Sequence, residues 1–148
     1  EKVAIDCARC LVILLNEPIG FSQIQKNPEC LFNIASLVQS DIHLLLRKTL
    51  KLLAAICCFS EDAMRGVSFA FDRLQQVRSE ETKYGVLVSI LASNSDVHLL
   101  TYCLSLINAL VNMPSNIDDR LAARNEFIRL GILNIIESLK MAHHYDMD

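Results

Sequence analysis

Residues 98–112 read HLLTYCLSLINALVN, and the way this stretch divides its polar and apolar positions decides the fold. His98, Thr101, Ser105, Asn108 and Asn112 recur at steps of three and four, while most residues between them are apolar. That spacing marks one face of an α-helix, because 3.6 residues per turn bring i, i+3, i+4 and i+7 to the same side. The helix is expected to be buried around most of its circumference and to keep one thin polar line. An ordinary surface helix keeps a broader polar face.

Two other long helical patterns carry a comparable line. From Ile42 to Cys58 it runs through His43, Arg47, Lys51, then Ala54 or Ala55, then Cys58. From Lys2 to Asn16 it runs through Lys2, Asp6, Arg9, Ile13 and Asn16. Shorter helical patterns follow each long one: about 21–26 and 29–38, then 61–77 and some twelve residues within SEETKYGVLVSILAS (79–93), then 117–130 and a last helix from near Ile132. The breaks fall at NEPIG, at Asn27-Pro28, at MPSN and at Gly131, where helix patterns stop. Ser40 or Asp41 is expected to cap the middle long helix. Ser60-Glu61-Asp62 and Asn94-Ser95-Asp96 are expected to start the helices after them.

The long helices end at 16, 58 and 112, which are 42 and then 54 residues apart. Repeats of about 40–47 residues with two or three helices each mark armadillo and HEAT solenoids. The expected fold class is all-α, a right-handed armadillo-repeat α-solenoid, with a compact helical bundle as the alternative. Residues 1–148 would form one armadillo domain of about three partial or complete repeats, a fragment of a longer multidomain chain. In a solenoid each repeat contacts only its neighbours, and one set of helices stacks along the concave side. The three thin stripes would then form a ladder facing a groove.

Composition narrows the function classes. Of the residues, 52% are hydrophobic and 21% charged, with a net charge of −3, so no basic field invites nucleic acid. Arg47, Lys48 and Lys51 interrupt the longest apolar run, so no membrane span is expected. No phosphate loop, nucleophile elbow or metal motif appears, so no enzyme activity and no cofactor are expected. Five of the six cysteines sit in apolar helical runs, which fits a reduced intracellular protein using Cys as a small core hydrophobe. Cys7 and Cys10 have metal-like spacing without a second pair, and core packing is the expected role. The adjacent His143 and His144 point to different faces of a helix and read as a solvated end.

Three segments carry a resemblance: KLLAAICC (51–58), FAFDRLQQV (69–77) and CLSLINALVN…IDDRLAARNEFIRLGI (103–132). In the last, Ile107-Asn108 ends an apolar helix, and Arg120, Arg124, Glu126, Phe127, Leu130 and Gly131 follow after a short break. LLNEPIGFSQI (14–24) looks like the stretch that ends an earlier repeat. Together these resemble the diaphanous inhibitory domain of formins, the armadillo-type formin homology 3 region, over nearly the whole chain. FSEDAMRG (59–66) departs from that family's Gly-rich loop, and the coiled-coil dimerising segment found elsewhere in such chains is not included here.

The resemblance implies a cytoplasmic, cytoskeletal regulatory domain of an actin nucleator, with actin bound through other domains. Its concave groove would hold the protein's own C-terminal amphipathic helix, an autoinhibition relieved by a GTP-bound Rho-family GTPase. For the helix groove it points to Arg47, Lys51, Ala55, Cys58, Thr101, Ser105, Asn108, Ala109 and Asn112. For GTPase contact it points to Asn16 and Glu17. Arg120, Arg124 and Glu126 read as structural, holding neighbouring helix ends. The alternative is an armadillo scaffold that binds another peptide or a small GTPase without autoinhibition. If Ala109 faces the groove, Ala109→Asp is expected to leave the fold nearly intact while abolishing helix binding, which circular dichroism and anisotropy would check together.

Overall fold

A computed structural model describes residues 2–145, with side chains for 2–141. Among the described residues there are nine α-helices and no strand, arranged as an all-α solenoid. They are α1 (Lys2–Leu15), α2 (Pro18–Gln25), α3 (Pro28–Ser36), α4 (His43–Phe59), α5 (Glu61–Arg78), α6 (Gly85–Ser93), α7 (Val97–Asn112), α8 (Ile117–Arg129) and α9 (Ile132–Tyr145). A single 3-10 turn, Leu37–Gln39, extends α3. The side chains of His143 and His144 lie outside the described residues.

Local chemistry sets most of the boundaries. Pro18 and Pro28 each open a helix, where a missing N–H costs nothing. The side chains of Asn27, Ser60, Asp96 and Asn116 accept first-turn N–H groups of α3, α5, α7 and α8. Gly131, at φ +83, takes the left-handed conformation that lets the chain leave α8 and start α9.

Two expected boundaries differ. The middle long helix begins at His43, not at a Ser40 or Asp41 cap, and its N-cap Ile42 has no side-chain oxygen. Ser40 instead closes a local turn, its Oγ accepting the Ile42 N–H at 3.1 Å. The second short helix of the middle repeat is nine residues rather than twelve. Its first part is used otherwise: Ser79 takes a left-handed φ of 53, the Glu80 N–H donates to Gln75 O at 3.0 Å, and α5 stops. Lys83 and Tyr84 then turn inward, so tertiary contacts claim residues whose propensity allowed helix.

The helices form two layers. In one, α1, α4 and α7 lie side by side, with α4 in the middle and its longest contact against α7. In the other, α3 packs on α5 behind α4, and α8 and α9 follow α7. The core runs through the seam between layers: Leu50, Leu53 and Ile56 of α4, Phe71 and Leu74 of α5, and Leu99, Leu106 and Leu110 of α7 are almost completely buried. Tyr84 stacks on Phe127 at 4.8 Å and meets the Phe71 ring edge-on at 5.6 Å, tying the α5–α6 connection to α8.

The cysteine expectation holds only in part. Cys57 and Cys103 are buried, and burial pushes the Cys103 thiol up to about 12, its Sγ lying 3.4 Å from Leu87 O. Cys7, Cys10 and Cys58 are exposed and Cys30 is half-buried. The reason is that α1 packs mainly against α2 and α4, so its outer flank is open despite being apolar. Val3, Ile13 and Leu14 are exposed there too.

At the α1–α2 corner, a Cβ on Gly20 would clash with the Leu14 carbonyl oxygen. Backbone cannot yield as a flexible side chain can. Gly20→Ala is expected to cost about 1–3 kcal/mol, read as a lower urea midpoint with an unchanged slope.

Candidate functional site

The stripes of α4 and α7 lie next to each other because those two helices pack along their length. Lys51 Nζ sits 5.7 Å from the centre of the Tyr102 ring and so ties the α4 stripe to α7 by a cation–π contact. Ala55 and Cys58 are exposed on α4, and His98, Thr101, Ser105, Asn108 and Asn112 are all exposed on α7. Arg47 is different. It is half-buried and pairs with Asp96 at 3.7 Å, so it clasps the start of α7 and is not free for an incoming acidic group.

Burial pushes the Asp96 carboxyl up, but the backbone N–H groups of Leu99 and His98 and the Arg47 guanidinium outweigh it. The carboxyl therefore stays below its ordinary value, as expected for an N-cap acceptor at the positive end of a helix.

Hydrogen bonding along the α7 stripe runs back into the helix. Thr101 Oγ1 donates to Val97 O at 2.7 Å, Ser105 Oγ donates to Thr101 O at 2.8 Å, and Asn112 Nδ2 donates to Asn108 O at 3.0 Å. The Asn108 carboxamide oxygen also accepts from Asn112, which leaves its NH2 group as the stripe's side-chain amide donor among these contacts. The hydroxyl oxygens keep lone pairs for a partner, but their protons are committed.

Two recesses flank the stripes. One, of about 480 Å³, lies between α1 and α4. Val12, Leu15, Leu52 and Ile56 form its apolar wall, and Phe21 and Phe59 lie ring against ring at 3.8 Å. Lys48 and Lys51 stand on one side, with Asn16 and Ala55 at the edge. The other, of about 450 Å³, lies between α7 and α9. Leu104, Ile107, Val111, Ile132 and Ile136 line it, and Thr101, Ser105 and Asn108 form its polar rim. An apolar trough with a thin polar rim can take the apolar edge of a helix while leaving the helix's polar side in water.

Lys51, Ala55, Cys58, Thr101, Ser105, Asn108 and Asn112 are all exposed on α4 and α7, with Lys51 and Ala55 on the α1–α4 recess and Thr101, Ser105 and Asn108 on the α7–α9 recess. Asn16 and Glu17 are exposed at the corner between α1 and α2. The structure does not place Ala109 with them. Ala109 is only 6% exposed and belongs to the core, because it sits on the α4 side of the stripe where α4 packs against α7. Sequence reasoning missed Phe59, which is 64% exposed and follows Ala55 by one helical turn. It also missed Ile132 and Ile136, whose i, i+4 spacing on α9 was legible but whose partner helix was not. Of the three residues read as structural, Arg120 fits, its Nη2 donating to Ser115 O at 3.2 Å. Arg124 is exposed and makes no ion pair among the described residues.

Residues 65–148 match the sequence profile of the Diaphanous FH3 Domain. Over 142 residues, 95% of this chain, it is 31% identical to protein diaphanous homolog 3 of Homo sapiens, covering 12% of that protein. It is 31% identical over 130 residues to formin-F of Dictyostelium discoideum, or 86% of this chain and 11% of that protein. With inverted formin-2 of Xenopus laevis the identity is 24% over 143 residues, or 97% of this chain and 13% of that protein. The chain thus spans about an eighth of the length of these curated relatives.

Two measurements check this geometry. Ala109→Asp is expected to destabilise the fold by about 3–5 kcal/mol, the cost of an uncompensated buried charge, contrary to the sequence-based expectation. The Asp96 contribution, present at neutral pH, is lost as pH falls through its lowered folded value. Asp96→Asn keeps a capping oxygen without the charge, so urea midpoints taken between pH 6 and 3 should fall less steeply for it than for the wild type.

Proposed function

This chain belongs to the diaphanous FH3 family, a regulatory domain of formins, and from that premise we propose that its α1–α4–α7 ladder is an autoinhibitory clamp. The bound element is an amphipathic helix from the C-terminal part of the chain's own formin. The observation that carries this is the α7–α9 recess: apolar along Leu104, Ile107, Val111, Ile132 and Ile136, with a single polar rim. Such a trough fits anchors spaced i, i+3, i+4 and i+7.

The rim residues act as register marks. Asn108 offers an amide NH2 to an exposed carbonyl or side-chain oxygen, and Lys51 attracts an acidic residue on the incoming helix. Exposed Ala55 and Cys58 are small enough to let that helix lie close to α4. Actin binding and filament nucleation belong to other domains of the formin, and the clamp acts at the cytoskeleton by withholding them.

Release falls to a GTP-bound Rho-family GTPase that contacts Asn16 and Glu17. Asn16 also borders the α1–α4 recess, so a GTPase seated there and a helix extending into that recess compete for the same wall. Competition of this kind is a differential affinity for two states, which is what a switch requires.

The test is fluorescence anisotropy of a labelled peptide from the Leu-rich, basic-tailed C-terminal segment of the same full-length protein. Saturable binding is expected, weakened at least tenfold by Lys51→Glu or Asn108→Ala, neither of which should lower the thermal midpoint. GTP-loaded Rho-family GTPase should displace the peptide from the wild type and not from the Asn16→Ala/Glu17→Lys variant. A folded chain that ignores the peptide would instead be an armadillo scaffold for another partner.

A further inference from the structure

Away from the ladder, α8 packs on α7 and α9 and leaves a slot of about 430 Å³ between itself and α5. Its walls are two helix faces of matching period. On α5 the slot is lined by Ser68, Phe69 and Asp72; on α8, by Asp119, Ala122, Ala123 and Glu126, at i, i+3, i+4 and i+7. The two alanines are what keep the α8 wall low enough for the slot to exist.

The charges in it do not balance. Lys83 Nζ lies 2.9 Å from Asp72 Oδ2 and donates to Ser68 Oγ at 2.8 Å, so its charge is spent inside the fold. Arg65 is spent on Glu61 at 2.7 Å. Glu126, half-buried on the opposite wall, makes no ion pair among the described residues, and burial lifts its carboxyl above the ordinary value against the pull of Lys83 and Arg129 nearby. Asp119 adds a second carboxylate about two turns away on the same face. At the mouth stands Phe69, 59% exposed, a large apolar ring with no core function.

We propose that the slot between α5 and α8 is a second docking site, which takes an arginine-bearing peptide segment of a partner protein. The guanidinium pairs with Glu126 and lies against the Phe69 ring, while the flanking apolar side chain rests on Ala122 and Ala123. Arginine suits the slot better than lysine because its planar, weakly hydrated fork both stacks on an aromatic face and grips a carboxylate with two parallel N–H groups. This site is built from other helices than the clamp and does not depend on it.

The probe is the hexapeptide acetyl-Ala-Leu-Ala-Ala-Arg-Ala-amide, titrated into the ¹⁵N-labelled chain, beside a twin carrying neutral citrulline for arginine. Saturable shifts are expected at the amides of Phe69, Ala122, Ala123 and Glu126, with the citrulline twin at least tenfold weaker. Glu126→Gln should weaken the arginine peptide tenfold or more. Ala122→Leu, which fills the slot but keeps the carboxylate, should block it; both variants should retain the wild-type thermal midpoint. Absence of saturable shifts, equal response to citrulline, or shifts centred on Lys51 and Asn108 would overturn the proposal. Concentration-dependent shifts at the slot without peptide would also overturn it, by making a second copy of this chain the occupant.

Discussion

The packing of α4 on three sides is the constraint on which the rest of the structure depends. It touches α1, α3, α5 and α7, and Leu50, Leu53, Ile56 and Cys57 lose nearly all their exposure in doing so. Replacing any one of these leucines by alanine would remove about 2–5 kcal/mol, a large part of what holds a domain of this size together. A helix so enclosed has only a narrow strip left for anything else. On α4 that strip holds Lys51, Ala55 and Cys58, and a similar enclosure by α4, α6 and α8 leaves the thin strip on α7.

The α7 strip combines polarity with little need for new partners. Thr101 and Ser105 have already turned their hydroxyl protons onto carbonyls one turn back, and Asn112 has turned its amide onto Asn108. At Thr101, Ser105 and Asn112, whose donors are satisfied, the strip can be covered by an apolar neighbour without the full cost of stranding a polar group. This accounts for how a buried-looking helix can carry five polar positions in water and still border an apolar trough. Opposite charges are treated in the same way: Arg47 is held by Asp96, Arg73 by Glu29 and Lys83 by Asp72. These three pairs brace one helix or loop against another, whereas Glu126 has no ion-pair partner among the described residues.

Much of the fold was legible because it is written in short-range chemistry. The caps at Asn27, Ser60, Asp96 and Asn116, the prolines at helix starts and Gly131 at a helix end act within a turn of themselves, so residue type alone places them. Less legible was the stretch before α6. Nothing within Ser79–Tyr84 forbids a helix, and only the pull of Asp72, Ser68 and the aromatic cluster on Lys83 and Tyr84 draws it into another path. The cysteines show the converse: an apolar run reads as buried, but Cys7 and Cys10 lie on a helix with neighbours on too few sides to bury it.

The sequence alone determined that this is an all-α chain of repeating long and short helices, where most of those helices start and stop, and which angular sector of each long helix is polar. Periodicity fixes such a sector because each residue advances about 100° around the axis. It does not fix where the sector's edges fall. Ala109 lies only about 40° from Ser105 by that rule, close enough to pass for the groove floor, yet α4 covers it and leaves Ser105 in water. Tertiary structure alone decided that edge, the pairing of α7 with α9 into a trough, and the slot left between α5 and α8. Each of these depends on how closely two helices distant in sequence approach, and that distance is set by the side chains of both at once.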